Sequence, residues 1–177
     1  MITPGFAQSM AAYNAWQNAS LYSAASTLTS AERQKDRGAF FGSIEATLAH
    51  IHWGDRAWLH RLAGKPAPAG RDLASSLRLD DGWEGLVAAR RATDDEISDW
   101  VAGLSDADLS GDLSWYSASV GHQMTRPVWL LIAHLFNHQT HHRGQVHAML
   151  TAAGARPEDT DLPLMPGLDG PSQLPGL

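Results

Sequence analysis

Residues 131–154 read LIAHLFNHQTHHRGQVHAMLTAAG. Leu131, Ile132, Leu135, Phe136, Val146 and Leu150 recur at the three- and four-residue steps of a largely buried helix. His134, His138 and His142 step by four along it, and His141 and Gln145 flank the same face. Upstream, Thr125 reads as the cap and Arg126-Pro127 as the opening residues, since proline suits the first turn. Gly154 follows Ala153 as a stop.

Three more segments carry helical periodicity. The first spans about Phe6 to Leu28, with Phe6, Met10, Tyr13, Gln17 and Leu21 on one stripe. Thr29 with Glu32 three residues on reads as a capping box. The second spans Ser43 to Ala63, with Ser43 as N-cap and Gly64 as C-terminal stop. The third starts near Asp80 or Asp81 and runs to about Leu104. Between the second and third lies a Pro/Gly/Ser-rich loop, residues 65–79, expected to be packed down by Leu73, Leu77 and Leu79. Before the last helix, residues 112–117 and 120–125 read as two short strands reversing at Ala118 and Ser119. Four long helices and one hairpin predict an all-α fold, a four-helix bundle with a small β-hairpin insertion before the last helix. Residues 1–163 form one domain, and 164–177 a Pro/Gly-rich tail.

Composition narrows the function. The 177 residues suffice for one core without staples. The net charge of −6 argues against gripping a nucleic-acid backbone. The N-terminus MITPGFAQSM lacks the basic and apolar regions of a signal peptide, and no run approaches membrane-spanning length. The expectation is a soluble, cytoplasmic protein with no membrane partner. With no Cys, thiolate metal sites, iron–sulfur clusters and Cys nucleophiles are excluded. Nine His, five of them between His134 and His147, leave imidazole and carboxylate to hold any metal.

Two imidazoles four residues apart form a common half-site for zinc, nickel or iron. By spacing alone His138 and His142 cannot be separated from His134 and His141. A third ligand must come from elsewhere, and the second helix offers His50, His52 and Asp55. The run His138-Gln139-x-x-His142 departs from the zincin pattern at Gln139, which cannot act as general base. Hydrolysis would need another base, such as Asp55 or a neighbouring His. Asp55 has a competing reading, an ion pair with Arg56 or Arg143. The remaining His60, His122 and His147 lack partners at ligand spacing and read as ordinary. Trp53, Trp58, Tyr116 and Trp129 could wall a pocket, although Trp58 and Trp129 suit core filling.

Two segments carry a family resemblance. Residues 137–145, in the pattern N-H-x-x-H-H-R-G-Q, and residues 47–59, T-L-x-H-I-x-x-x-D-x-x-W-L, resemble the signature segments of the DinB/YfiT-like family. The likeness extends from about Phe6 to Pro163. It implies a four-helix bundle, often a homodimer, carrying zinc or nickel on three His. Those positions fall here on His50, His138 and His142, the x-G-Q that follows selecting His142 over His141. The resemblance further implies a metal-dependent enzyme, since characterised relatives include thiol-dependent S-transferases and a thiol-dependent isomerase. The family name points to induction by DNA damage, a stress response.

Metal-bound imidazoles give their other N–H to an outer acceptor, and Asp55, Asn137, Gln145 and Glu45 are the candidates. Three ligands leave a position open, as catalytic sites do. Any thiol must come from outside as a low-molecular-weight cofactor or substrate. Three functions compete: a transferase or hydrolase acting on a small molecule, a non-catalytic metal-binding stress protein, and a dimeric interaction module with a structural His cluster.

Overall fold

The structure, a computed structural model, describes residues 1–70, 72–79, 81–118 and 120–167. Asp80, Ser119 and the tail from residue 168 onward, which figure in the expectations above, lie outside the described residues. Four long helices build the bundle. They are α1 (Pro4–Ser26), α3 (Ile44–Ala63), α4 (Gly82–Ala102) and α6 (Val128–Ala152). Two short helices, α2 (Ser30–Gln34) and α5 (Asp106–Leu109), lie in the connections. Around the bundle each helix packs on two others, in the order α1, α4, α3, α6 and back to α1.

Local chemistry sets the boundaries. Ser43 Oγ accepts the Ala46 N–H, and Thr29 Oγ1 accepts the Glu32 N–H, as caps should. Gly64 ends α3 with φ of +66°, a left-handed conformation suited to glycine. Helix α1 starts earlier than periodicity suggests, because Thr3 caps Phe6 and Pro4 fills the first turn.

The last helix and the hairpin differ from expectation together. Strand β1 (Asp112–Ser117) pairs antiparallel with β2 (His122–Pro127), from Asp112↔Pro127 to Ser117↔His122. The second strand is therefore two residues later than residues 120–125. Gly121, at φ +74°, donates its N–H to Ser117 O and makes the reversal. Val120 is consequently exposed beside the strand. Arg126 and Pro127 end β2 rather than opening α6, and Thr125 Oγ1 bonds Ser114 Oγ across the ladder instead of capping. Proline is tolerated there because it is the terminal residue of an edge strand.

Two apolar clusters fill the bundle. One gathers Leu21, Ile44, Leu48, Leu86, Val146 and Leu150; the other gathers Ala7, Leu59, Ile97, Ile132, Leu135 and Phe136. Between them, at the same level on all four helices, lies a polar layer of Asn14, Asn18, Asp55, Arg90, Asp94, Gln139 and Arg143, every one buried. Helix α1 accordingly buries alanines and amides, while Phe6, expected on its apolar stripe, is 42% exposed. In the loop after α3, Leu79 packs on the first cluster, but Leu73 is exposed, and buried Ser76 in a 3-10 turn (Ser75–Leu77) anchors the segment instead. The segment after α6 is tied along α1: the Tyr13 hydroxyl donates to Thr160 O, the Gln17 amide to Asp159 O, and the Glu158 N–H to Ser20 Oγ.

Candidate metal centre

His50 from α3 and His138 and His142 from α6 meet in the groove between their helices. One nitrogen from each lies within 4.8 Å of the others. The Nε2 atoms of His50 and His138 are 3.3 Å apart, close to the separation of about 3.4 Å expected for two nitrogens bound tetrahedrally at 2.0–2.1 Å. Among the described residues, this is the one group of three His, Cys, Asp or Glu side chains that converges in this way.

The surroundings prepare these rings as ligands. Ser76 Oγ donates its proton to Leu73 O at 2.7 Å, so toward His50 Nδ1, at 2.9 Å, it can only accept. His50 thus carries its proton on Nδ1 and turns the Nε2 lone pair toward His138. Likewise His142 Nδ1 donates to Gln145 Oε1 at 2.9 Å and leaves its own Nε2 free. His138 Nε2 faces the His50 lone pair, so the two need a positive centre between them, a proton or a cation. Burial, with the neighbouring imidazoles adding to it, holds His50 down to about 4 and His138 to about 3; burial lowers His142 as well. At neutral pH all three are uncharged, the state that binds a metal. The donor set, its spacing and its fixed tautomers therefore fit a divalent transition metal.

Two packing features shape the groove. At Gly54 on α3 an added Cβ would stand 3.1 Å from His138 Cε1, so the missing side chain is what lets the α6 ring approach. Phe41, just before α3, lies with its ring centre 4.1 Å from that of His50 and 5.3 Å from that of His142, shielding one side. His134 and His141 sit on the rim. His134 is 5.7 Å from His138 by ring centres and stacks edge-on to Trp58, whereas His141 is 4.8 Å from His142.

Several expected neighbours point elsewhere. Asp55 is fully buried in the polar layer, where it accepts from Arg90 Nη1 at 2.5 Å and from Gln139 Nε2 at 2.6 Å. It pairs with neither Arg56 nor Arg143; Arg56 binds Glu96, and Arg143 donates to Asn14 and Gln139. Arg90 also reaches Asp94 at 2.8 Å, and Asp55, fully buried inside this layer, makes no hydrogen bond to His50, His138 or His142 among the described residues. Burial nevertheless pushes Asp55 up to about 6 against the pull of Arg90. Asn137 is exposed and faces away, and Glu45 binds Arg33 and Gln34 to fasten α2 onto α3. Of the proposed outer partners only Gln145 touches a ligand. Sequence reasoning missed Ser76, Gly54 and Phe41. Only Gly54, a glycine inside a helical pattern, carried a visible signal. Three histidines outside the cluster have ordinary partners: His52 meets Thr93 Oγ1, His60 donates to Lys65 O and His122 to Gln123 O.

No described helix is long and apolar enough to cross a membrane. The model of the DinB family matches residues 1–172. Protein DinB from Bacillus subtilis (strain 168) is 27% identical over 165 residues, covering 88% of this chain and 91% of the relative. No solved structure matches significantly.

Proposed function

This chain belongs to the DinB family, and from that membership and its convergent imidazoles we propose that it is a divalent-metal-dependent enzyme with zinc or nickel held by His50, His138 and His142. The observation that carries this reading is that Ser76 and Gln145 commit two ligand tautomers so that their free nitrogens face one point. Three protein ligands leave room for a fourth group, as in catalytic rather than structural sites. A divalent cation there would lower the pKa of a bound thiol or water toward neutrality, or polarise a carbonyl.

The reaction we favour is S-transfer to a small molecule by an external low-molecular-weight thiol, with hydrolysis as its near relative. The chain has no Cys, so the sulfur must be brought in. In S-transfer the sulfur forms a bond to an electrophilic carbon, the leaving group departs with its electron pair, and the thiol proton must be carried off. His134 and His141, on the rim, are placed to move that proton, and Phe41 keeps water from one side. A homodimer belongs to the same proposal and is read by light scattering.

The test titrates nickel-loaded protein with cysteine, glutathione and coenzyme A while following thiolate-to-metal absorption. A band that appears with at least one thiol, and is absent from His50→Ala, supports the reading. Stoichiometric nickel with no band for any thiol contradicts S-transfer and favours a non-catalytic metal-binding role.

A further inference from the structure

A second concavity, of about 310 Å³, lies on the other side of α3 from the polar layer, between that helix, the loop after it and β1. Its walls are Trp53, Pro68, Trp115 and Tyr116, and its charged or titratable neighbours are His60 and Arg61, with no Asp or Glu among the described lining residues. The loop is fastened to α3 at three points. The Trp53 indole donates to Ala69 O at 3.0 Å, His60 Nδ1 to Lys65 O at 2.8 Å, and Arg56 Nη2 to Pro66 O at 3.4 Å. The opposite wall is also braced, with Trp115 edge-on to Trp58 at 5.6 Å and the Tyr116 hydroxyl donating to Gly121 O.

Arg61 is the anomaly in this cavity. It is half-buried, yet none of the ion pairs or hydrogen bonds found among the described residues uses it. Its guanidinium lies 4.7 Å from the centre of the Trp58 ring, a contact that fixes its position but satisfies none of its five N–H donors. Burial pulls it down from its ordinary value, and no nearby acid offsets this. A fork of donors held against the Trp58 ring, with no acidic partner beside it and aromatic walls around it, is complementary to a planar apolar body bearing a carboxylate.

We propose that this cavity binds a small aromatic carboxylate, its ring held between Trp53, Pro68, Trp115 and Tyr116 and its carboxylate paired with Arg61. The site stands apart from the histidine cluster and does not depend on a metal there.

Calorimetric titration with 1-naphthoate and with 1-naphthylmethanol, in the presence of EDTA, tests the assignment. The acid should bind roughly tenfold tighter than the alcohol, the effect of one charge-assisted pair worth about 1.4 kcal/mol. Arg61→Gln should bring the two within about twofold of each other, and Trp115→Ala should weaken both. His138→Ala should leave naphthoate binding unchanged. No saturable binding up to about 10 mM, an acid preference that survives Arg61→Gln, or its loss in His138→Ala would each overturn the proposal. If Arg61→Gln does not fold, Arg61→Lys decides: it should keep the preference for the acid but bind it several-fold more weakly, and unchanged affinity contradicts the paired geometry.

Discussion

Replacing Ser76 by alanine tests the most specific part of the site, the commitment of the His50 tautomer. Ser76 is 1% exposed, and its hydroxyl accepts from His50 Nδ1 at 2.9 Å and donates to Leu73 O at 2.7 Å. Alanine leaves His50 Nδ1, buried against this turn, without its acceptor. Metal-free protein should lose about 1–3 kcal/mol of stability, the cost of unpairing buried polar groups. Zinc affinity should fall a further 10–100-fold, about 1.4–2.7 kcal/mol, because the imidazole is no longer held with its Nε2 lone pair toward the site. Ser75→Ala is the control. It sits in the same turn and bonds Asp72 Oδ1 at 2.6 Å without touching His50. Chelator competition at constant pH measures affinity, and urea unfolding of the metal-free forms measures stability. Zinc binding by Ser76→Ala within about twofold of the unaltered protein, or an equal loss in Ser75→Ala, would mean that Ser76 does not orient His50.

Gly54→Ala should separate two properties. A helix gains about 1 kcal/mol from alanine, but the new Cβ presses on His138, so zinc affinity should fall while the metal-free helix content holds or rises; unchanged affinity by chelator competition contradicts the packing. Arg90→Met leaves the buried carboxylates of Asp55 and Asp94 without their cation, so urea unfolding should show a loss of about 3–5 kcal/mol, and a loss under about 1 kcal/mol refutes the importance of the layer. His52 is held from 6.5 down to about 3 by burial and by Arg90 and Arg56. Its folded pKa lies below its unfolded one, so its contribution is complete above pH 6.5 and drains away as the pH falls toward 3. His52→Gln should therefore flatten the decline of the urea midpoint between pH 6.5 and 5, and parallel declines would contradict the shift.

Much of this was legible in the chain because its signals are local. Ser43 and Gly64 bracket α3 through contacts with residues only a few positions away, and the four-residue step of His138 and His142 is a property of one helix. What stayed hidden depends on contacts across the fold. Ser76 lies in a loop with no periodicity and meets His50 across 26 positions. The polar layer joins side chains from four helices, so Asn14 and Asn18 weaken the apolar stripe of α1, and Asp55 reads as a surface ion-pair partner although it is fully buried. Pro127 misled for another reason: a residue that suits the first turn of a helix also suits the last position of an edge strand, and the ladder with β1 decides between them. His50 was separable from His52 only by the family motif. The geometry places His50 in the cluster and His52 against Thr93.

If three imidazoles of one chain hold one divalent metal, the purified protein carries it in a fixed ratio. The most direct test is elemental analysis of protein purified without chelators, beside His138→Ala. The unaltered protein should carry about one zinc or nickel per chain and the variant close to none. A metal-free unaltered protein that also takes up no zinc or nickel on dialysis, or a variant that keeps the full complement, contradicts it.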